Sequence, residues 1–376
     1  MTTNLISTMK RSLNSKLNRR MSLHLALGLV LLTWSFAATG QLLKVGVAGL
    51  SHDHVHGILQ QHKRGEVILA GIAEADAKLI ERYKKTYQLP DSLFFKNLAT
   101  LLEHVKPDAV LAYNAISEHL AVVEACAPKG VSVMVEKPLA ITAKEAERIV
   151  LLASQYHIQV LTNYETTWYA SNQELHNMVK EQRAIGDIRK MVVHDGHQGP
   201  KEIGCSPDFL AWLTDPEKNG AGALVDFGCY GANLMTWLMD GKAPIAVTAI
   251  TRHIKPDIYP KVDDEATILL EYADATGIIE ASWNWPFGIK DLEVFGQTGY
   301  LHALNATTLQ QRKKESYDGV EVKPAAFTNN LTYLAAVLRG TQHPDNDLSS
   351  LSNNVIVVKI LEAARQSARE GKRIVL

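Results

Sequence analysis

The chain has 376 residues, 46% of them apolar, with 39 basic and 40 acidic side chains and a formal charge of −1. That length suits two domains of ordinary size rather than one. The even charge excludes the basic footprint of a nucleic-acid binder. Three scattered cysteines, Cys126, Cys205 and Cys229, exclude a disulfide framework.

The first forty residues read apart from the rest. Lys10, Arg11, Lys16, Arg19 and Arg20 precede an apolar run, Leu25 to Ala38, which closes in "AATG". Basic, apolar, small is the order of a signal peptide. The run is 14 residues long, short of the roughly 18 to 20 that span a bilayer. Residues 1–40 are therefore expected to be a signal peptide of an exported, periplasmic protein; a membrane anchor is the alternative. The mature chain is expected to begin near Gln41, with no stable membrane span.

From Leu42 onward strand-type runs alternate with helical patterns: "LLKVGVAGL", "VILAGIAE", "PDAVLAYN", "VSVMVEKP" and "IQVLTNY" are separated by helices such as "DAKLIERYKKTYQL" and "TAKEAERIVLLASQYH". This alternation predicts βαβ units and a parallel sheet. The runs are rich in Val, Ile and Leu and nearly unbroken, as in strands buried on both faces. Beyond about residue 165 the texture changes. Longer β-type runs, "IRKMVVHDGHQ", "IAVTAITRHI", "EATILLEYADATGIIEASWNW" and "DLEVFGQTGYLHAL", predict an antiparallel sheet, and two helices close the chain. The divisions are 41–162, 163–325 and 326–376.

The turn after the first strand reads Gly49-Leu50-Ser51-His52-Asp53-His54, followed by His56. In a doubly wound sheet this turn meets a dinucleotide pyrophosphate, usually over G-x-G-x-x-G. Here only the first glycine is present. Three readings stay open: a phosphate-side turn, histidines that are partly buried or solvated, and a metal site begun by the H-x-H spacing. The metal reading lacks partners at a clear spacing, since His119, His194 and His197 follow no metal pattern; no metal is expected. Glu74 ends the second strand 25 residues after Gly49. An acidic residue at this distance binds the adenosine ribose hydroxyls and repels a 2′-phosphate, which favours NAD over NADP.

The fourth strand ends in Glu136-Lys137-Pro138, at the sheet edge where ligands bind. Asp226, Tyr230 and Asn233, at spacings of four and three, are expected on one helix face. "VGVAGLSH", "GIAEAD", the His119 of "AISEH", "VEKPLA", "GAGALVDFGCYGAN", "VFGQTGYL" and "LEAARQSAREGKRIVL" together resemble, in order and spacing, the Gfo/Idh/MocA oxidoreductases. The resemblance implies an α/β fold: a doubly wound Rossmann domain plus an α+β domain with a large open, mainly antiparallel sheet that often makes oligomer contacts, and closing helices that pack back towards the Rossmann domain. It implies NAD as cofactor, bound by Gly46, Gly49, Leu50, Ser51, His52 and His54 on the first turn. Glu74, Asn114, His119, Glu136 and Lys137 would complete that site. It implies Lys137 as catalytic. The family's usual D-x-G-x-H-x-x-D reads Asp226-Phe227-Gly228-Cys229-Tyr230-Gly231-Ala232-Asn233 here, with Tyr for His and Asn for the last Asp.

Oxidising a secondary alcohol needs a group that takes the hydroxyl proton. A free tyrosine titrates near 10, and a neighbouring ammonium lowers that value. Tyr230 is therefore expected as acid/base, with Lys137 orienting the oxygen and tuning the phenol. Asp226, Asn233, Asn163, Trp168 and His197 are expected to hold a sugar or polyol; Trp283 and Trp285 are either sugar platforms or core. The expected activity is hydride transfer between NAD and a secondary hydroxyl of a sugar, glycoside or cyclitol by a homo-oligomer. The alternatives are glycoside cleavage by transient oxidation and elimination over tightly bound NAD, and a nucleotide-retaining sensor.

Overall fold

The structure is a computed structural model and describes residues 42–376; the expected signal peptide lies outside the described residues. The early apolar runs form a wholly parallel six-stranded sheet, from β1 (Lys44–Ala48), β2 (Ile68–Ala73), β3 (Phe94–Phe95), β4 (Ala109–Ala112), β5 (Ser132–Glu136) and β6 (Val160–Asn163). Their order is β3-β2-β1-β4-β5-β6. Every residue of β4 and β5 is buried, because helices cover both faces: α1 (Val55–Lys63), α2 (Ala77–Tyr87), α3 (Leu98–His104), α4 (His119–Cys126) and α5 (Ala143–Tyr156). Polar side chains start three of these helices. Asp76 caps α2, Asn97 caps α3, and Thr142 with Glu145 forms a capping box on α5. No side chain caps α1, whose N-terminus faces the turn after β1.

After α6 (Ala170–Lys180) the chain enters a nine-stranded sheet. Its strands are β7 (Ile188–Gly196), β8 (Ala246–Arg252), β9 (Glu265–Glu271), β10 (Thr276–Ser282), β11 (Ile289–Gly296), β12 (Tyr300–Ala303), β13 (Leu309–Arg312), β14 (Asp318–Val320) and β15 (Ile374–Val375). The order is β14-β13-β12-β11-β7-β10-β9-β8-β15. Only β7 and β10 pair in parallel. Between β7 and β8 lie α7 (Pro207–Leu213), α8 (Pro216–Asn219), α9 (Ala223–Asp226) and α10 (Gly228–Leu238). α10 is buried along its whole length against β7 and β10. Gly231 allows this approach, since a Cβ there would meet Ile279 at 2.6 Å.

α11 (Asn330–Leu338) and α12 (Leu351–Glu370) follow the second sheet. Leu331, Leu334 and Val337 pack into the same core as Val45, Val47 and Leu111 of the parallel sheet. On α12, Val358 joins the first-domain core, and Val357, Ile360 and Leu361 join the second. Three features depart from the sequence reading. β3 is only two residues long, too short for a periodic signal. The helices at 207–219 were not foreseen. Asp226 and Tyr230 do not share one continuous helix, because the chain breaks at Phe227 between α9 and α10.

Candidate active site

β1 ends at Ala48, and Gly49 turns the chain at φ +82°. A Cβ there would lie 2.7 Å from the Asn114 Cβ, so the position requires glycine twice over. Glu74 fastens this turn. Its carboxylate accepts the Leu50 amide at 2.9 Å and the Ala75 and Asp76 amides at 2.8 and 2.9 Å. A carboxylate offers about four acceptor positions, which leaves one for a ribose hydroxyl. The amides of Ser51 and Asp53 have no hydrogen-bond partner among the described residues, at the uncapped end of α1. Asn114 Oδ1 and His119 Nε2 are buried without a hydrogen-bond partner among the described residues. Free turn amides and orphaned polar atoms beyond the strand ends fit a dinucleotide.

The turn histidines separate in role. His52 is 1% exposed and packs against Phe209 and Trp212, with ring centroids 4.5 and 5.4 Å away. Burial holds its imidazole well below the usual range, and the charges of His54, Lys137 and His119 add to this. Its Nδ1 accepts the His54 amide at 3.1 Å. His52 is thus a neutral packing residue beneath α7, contrary to the expectation that it faces phosphate. His54 lies exposed and meets Glu136 at 2.9 Å. His52, His54 and Glu136 each present one ligand-type atom within 4.8 Å of the others. His119 instead meets the Leu139 carbonyl, His194 meets Asp291, and His197 accepts the Gly199 amide; His56 meets the Tyr87 hydroxyl.

Glu136 accepts from Asn163 Nδ2 at 2.8 Å, and Asn163 Oδ1 accepts from Trp168 Nε1 at 3.2 Å. His54, Glu136, Asn163 and Trp168 line a cleft of about 370 Å³ with Tyr113 and Glu165. Burial works against the Glu136 carboxylate, but His54, Asn163 and Lys137 outweigh it and keep its pKa below the usual value.

One residue on, Lys137 Nζ donates to the Asp226 carbonyl at 2.9 Å and to the Asp226 carboxylate. The second carboxylate oxygen accepts Trp283 Nε1 at 3.0 Å. Both charged side chains are almost fully buried. Burial opposes the Lys137 ammonium, yet Asp226 prevails and its pKa is raised. The Lys137 ammonium lies 5.1 Å from the centre of the Tyr230 ring, and the Lys290 ammonium 4.4 Å. Lys290 is held by Glu165 at 2.5 Å. The Tyr230 phenol is pushed well above its ordinary value by burial and by the carboxyls of Asp195, Glu165 and Asp226. Lys137 therefore does not lower the phenol as expected: it meets the ring face, and Asp226 takes up its charge.

Residues 43–164 match the family model described as an oxidoreductase family with an NAD-binding Rossmann fold, and residues 172–302 match the GFO/IDH/MocA C-terminal domain. The chain belongs to the GFO/IDH/MocA oxidoreductases. It is 20% identical over 315 residues to a trans-1,2-dihydrobenzene-1,2-diol dehydrogenase of Xenopus tropicalis, covering 79% of this chain and 89% of the relative. The human dehydrogenase of the same name is 23% identical over 263 residues, 68% of this chain and 72% of its own. An aldose-aldose oxidoreductase from Caulobacter crescentus, solved with glycerol, superposes with a TM-score of 0.73 at 21% identity over 89% of this chain and all of its own. An inositol dehydrogenase homologue from Azotobacter vinelandii, solved with NADH and myo-inositol, gives 0.75 at 17% identity over 90% of this chain and 98% of its own.

In this GFO/IDH/MocA chain several expected contacts take other duties. Asn233 donates to the Leu348 carbonyl at 2.8 Å and to Asn354 at 3.3 Å, so it ties α10 to α12 and does not face substrate. Gly46 lies inside β1, where a Cβ would press on Leu101 and Val110 at 3.3 Å; its role is packing. Asp226 holds Lys137. Trp283 is fully buried and serves as the donor to Asp226, while Trp285 packs near His194. His197 stands edge-on to Phe227, 4.8 Å between centroids. Sequence reasoning missed Asp195, Lys290 and Glu165, which surround Tyr230. A signal existed for Asp195: Met191, Val193 and Asp195 alternate along one buried strand face, which puts a carboxyl where an apolar residue belongs.

Proposed function

We propose that this protein is an exported NAD-dependent oxidoreductase acting on a secondary hydroxyl of a sugar, glycoside or cyclitol. The observation that carries this is the Lys137 ammonium, fixed on Asp226 at the carboxyl end of β5 beside the cleft lined by Glu136, Asn163 and Trp168. Bound NAD supplies the hydride acceptor. Ser51 and Asp53 amides would hold its phosphates, and Glu74 its adenosine ribose. Lys137 stays charged, so it donates to the substrate oxygen both as hydroxyl and as carbonyl. That contact is strongest while the oxygen carries the partial negative charge of the transition state, which is the condition for catalysis. The names of the relatives, a diol dehydrogenase, an aldose oxidoreductase and an inositol dehydrogenase homologue, support a polyhydroxylated substrate.

Export makes free NAD scarce, so we assign tight retention of the cofactor. The nine-stranded sheet leaves Ile250 60% and Leu269 41% exposed, which supports a homo-oligomer. Purified protein incubated with NAD+ and a panel of aldoses, methyl glycosides and cyclitols should show the near-ultraviolet absorbance of reduced nicotinamide with at least one of them. Failure to bind NAD+ would overturn the reading.

A further inference from the structure

Neither Lys137 nor Tyr230 is equipped to store the proton that leaves the substrate hydroxyl. Lys137 is already an ammonium on Asp226, and the phenol resists ionisation. The site nevertheless contains a third carboxyl. Asp195 lies on β7, directly opposite Lys290 on β11 and beside Ala281 on β10. It is 1% exposed, and its Oδ1 is buried without a hydrogen-bond partner among the described residues. It shares the inward face of β7 with Met191 and Val193, the face against which α10 and Tyr230 pack.

The charge count around it is uneven. Asp226, Glu165 and Asp195 face two ammonium groups. Lys137 hydrogen-bonds Asp226 and Lys290 hydrogen-bonds Glu165, while Asp195 feels the Lys290 charge across the strand pair without a hydrogen bond to its Oδ1 among the described residues. A buried carboxylate whose oxygen lacks a hydrogen-bond donor is costly and takes up a proton when burial outweighs the nearby cations.

We propose that Asp195 is the proton acceptor of this site, with the neutral Tyr230 phenol as the carrier. This rests on the hydride-transfer reading above. In the oxidation direction the substrate C–H bond breaks and its electron pair leaves as hydride to the cofactor. The substrate O–H proton passes to the Tyr230 oxygen as the phenol, which carries no hydrogen bond to Asp195 in this structure and has to close on it, gives its own proton to the Asp195 carboxylate. Asp195 ends as a carboxylic acid, Tyr230 is unchanged, and the carbon–oxygen bond becomes a carbonyl. The reverse reaction draws the proton back. Lys137 holds the oxygen throughout.

The titration of Asp195 supports this role. Burial raises its carboxyl to about 8, with Asp226 and Glu165 adding to the rise and the ammonium groups of Lys290 and Lys137 opposing it. Tyr230, Tyr169 and Cys229 are the other ionisable groups around it. A base near the working pH is the most effective one.

The test is Asp195→Asn, which keeps the shape and removes the titration. With NAD+ bound and no substrate, wild-type protein should show an infrared band of a protonated carboxyl in mildly acidic buffer that fades as the pH rises. Asp195→Asn should lack it, and the midpoint should be higher with NADH than with positively charged NAD+. Absence of the band from wild type in mildly acidic buffer would overturn the proposal. With the polyol that reduces NAD+ in wild type, Asp195→Asn should lower kcat about a hundredfold or more and abolish the rise of kcat with pH. Retention of both rate and pH limb would also overturn it, while NAD+ affinity and thermal unfolding report whether the variant is folded. Wild type that binds NAD+ but oxidises no polyol contradicts the hydride-transfer reading instead, and the infrared titration then decides the carboxyl alone.

Discussion

Lys137 and Asp226 are each intelligible only through the other. Their side chains are 7% and 8% exposed, and removing one partner of such a pair costs about 3–5 kcal/mol because the other charge stays buried. Lys137→Met should therefore lose both turnover and stability. Lys137→Met combined with Asp226→Asn should regain part of the stability in urea denaturation and none of the turnover. That split would separate the catalytic use of the ammonium from its structural use. Histidine burial makes a second prediction. His119 is held by burial at about 4 against an ordinary 6.5, with Glu136 and backbone carbonyls opposing the fall. Between those values the unfolded chain binds a proton that the folded chain refuses, so stability is full above 6.5 and declines as the pH falls towards 4. The urea midpoint should drop on going from pH of about 7.5 to about 5, and drop less in His119→Gln.

At the scale of elements, the turn between β1 and α1 is held by its neighbours. Asp53 accepts the Ser206 amide at 2.8 Å, and Trp212 Nε1 reaches the Ser51 carbonyl at 3.4 Å, so α7 roofs the turn. Gly49→Ala forces a side chain into both a left-handed backbone and the Asn114 contact; NAD+ affinity should fall with it, read by fluorescence titration. Asn233→Ala should cost about 1–2 kcal/mol, the penalty for buried carbonyls that lose their donor, while leaving KM for the polyol unchanged; a large rise in KM would restore Asn233 to the substrate face. The strands of the first sheet were legible because strands buried on both faces appear as unbroken apolar runs. The site was only half legible. Lys137, Asp226 and Tyr230 could be gathered by motif spacing, but spacing does not say that the lysine meets a ring face rather than a hydroxyl. Asp195 escaped because its meaning depends on Lys290, which joins it only through the β7–β11 pairing.

At the scale of the molecule, two sheets meet at one chemical centre. The parallel sheet delivers Glu136 and Lys137, the helices packed on the open sheet deliver Asp226 and Tyr230, and the open sheet itself delivers Asp195, Trp283 and Lys290. α11 and α12 hold the halves together by packing into their cores, which fixes the distance between a lysine and a tyrosine far apart in sequence. Function thus depends on groups that no single domain contains. We propose that this shared centre moves a hydride from a polyol to NAD under the control of Lys137. The most direct measurement is a single-turnover mixing of the NAD+-loaded protein with the panel of aldoses, glycosides and cyclitols, followed by the absorbance of reduced nicotinamide, for wild type and Lys137→Met. The prediction is reduction of bound NAD+ in the wild type by at least one member and none by the variant with its cofactor still bound. Equal reduction in both proteins, or none in the wild type with NAD+ bound, would contradict it.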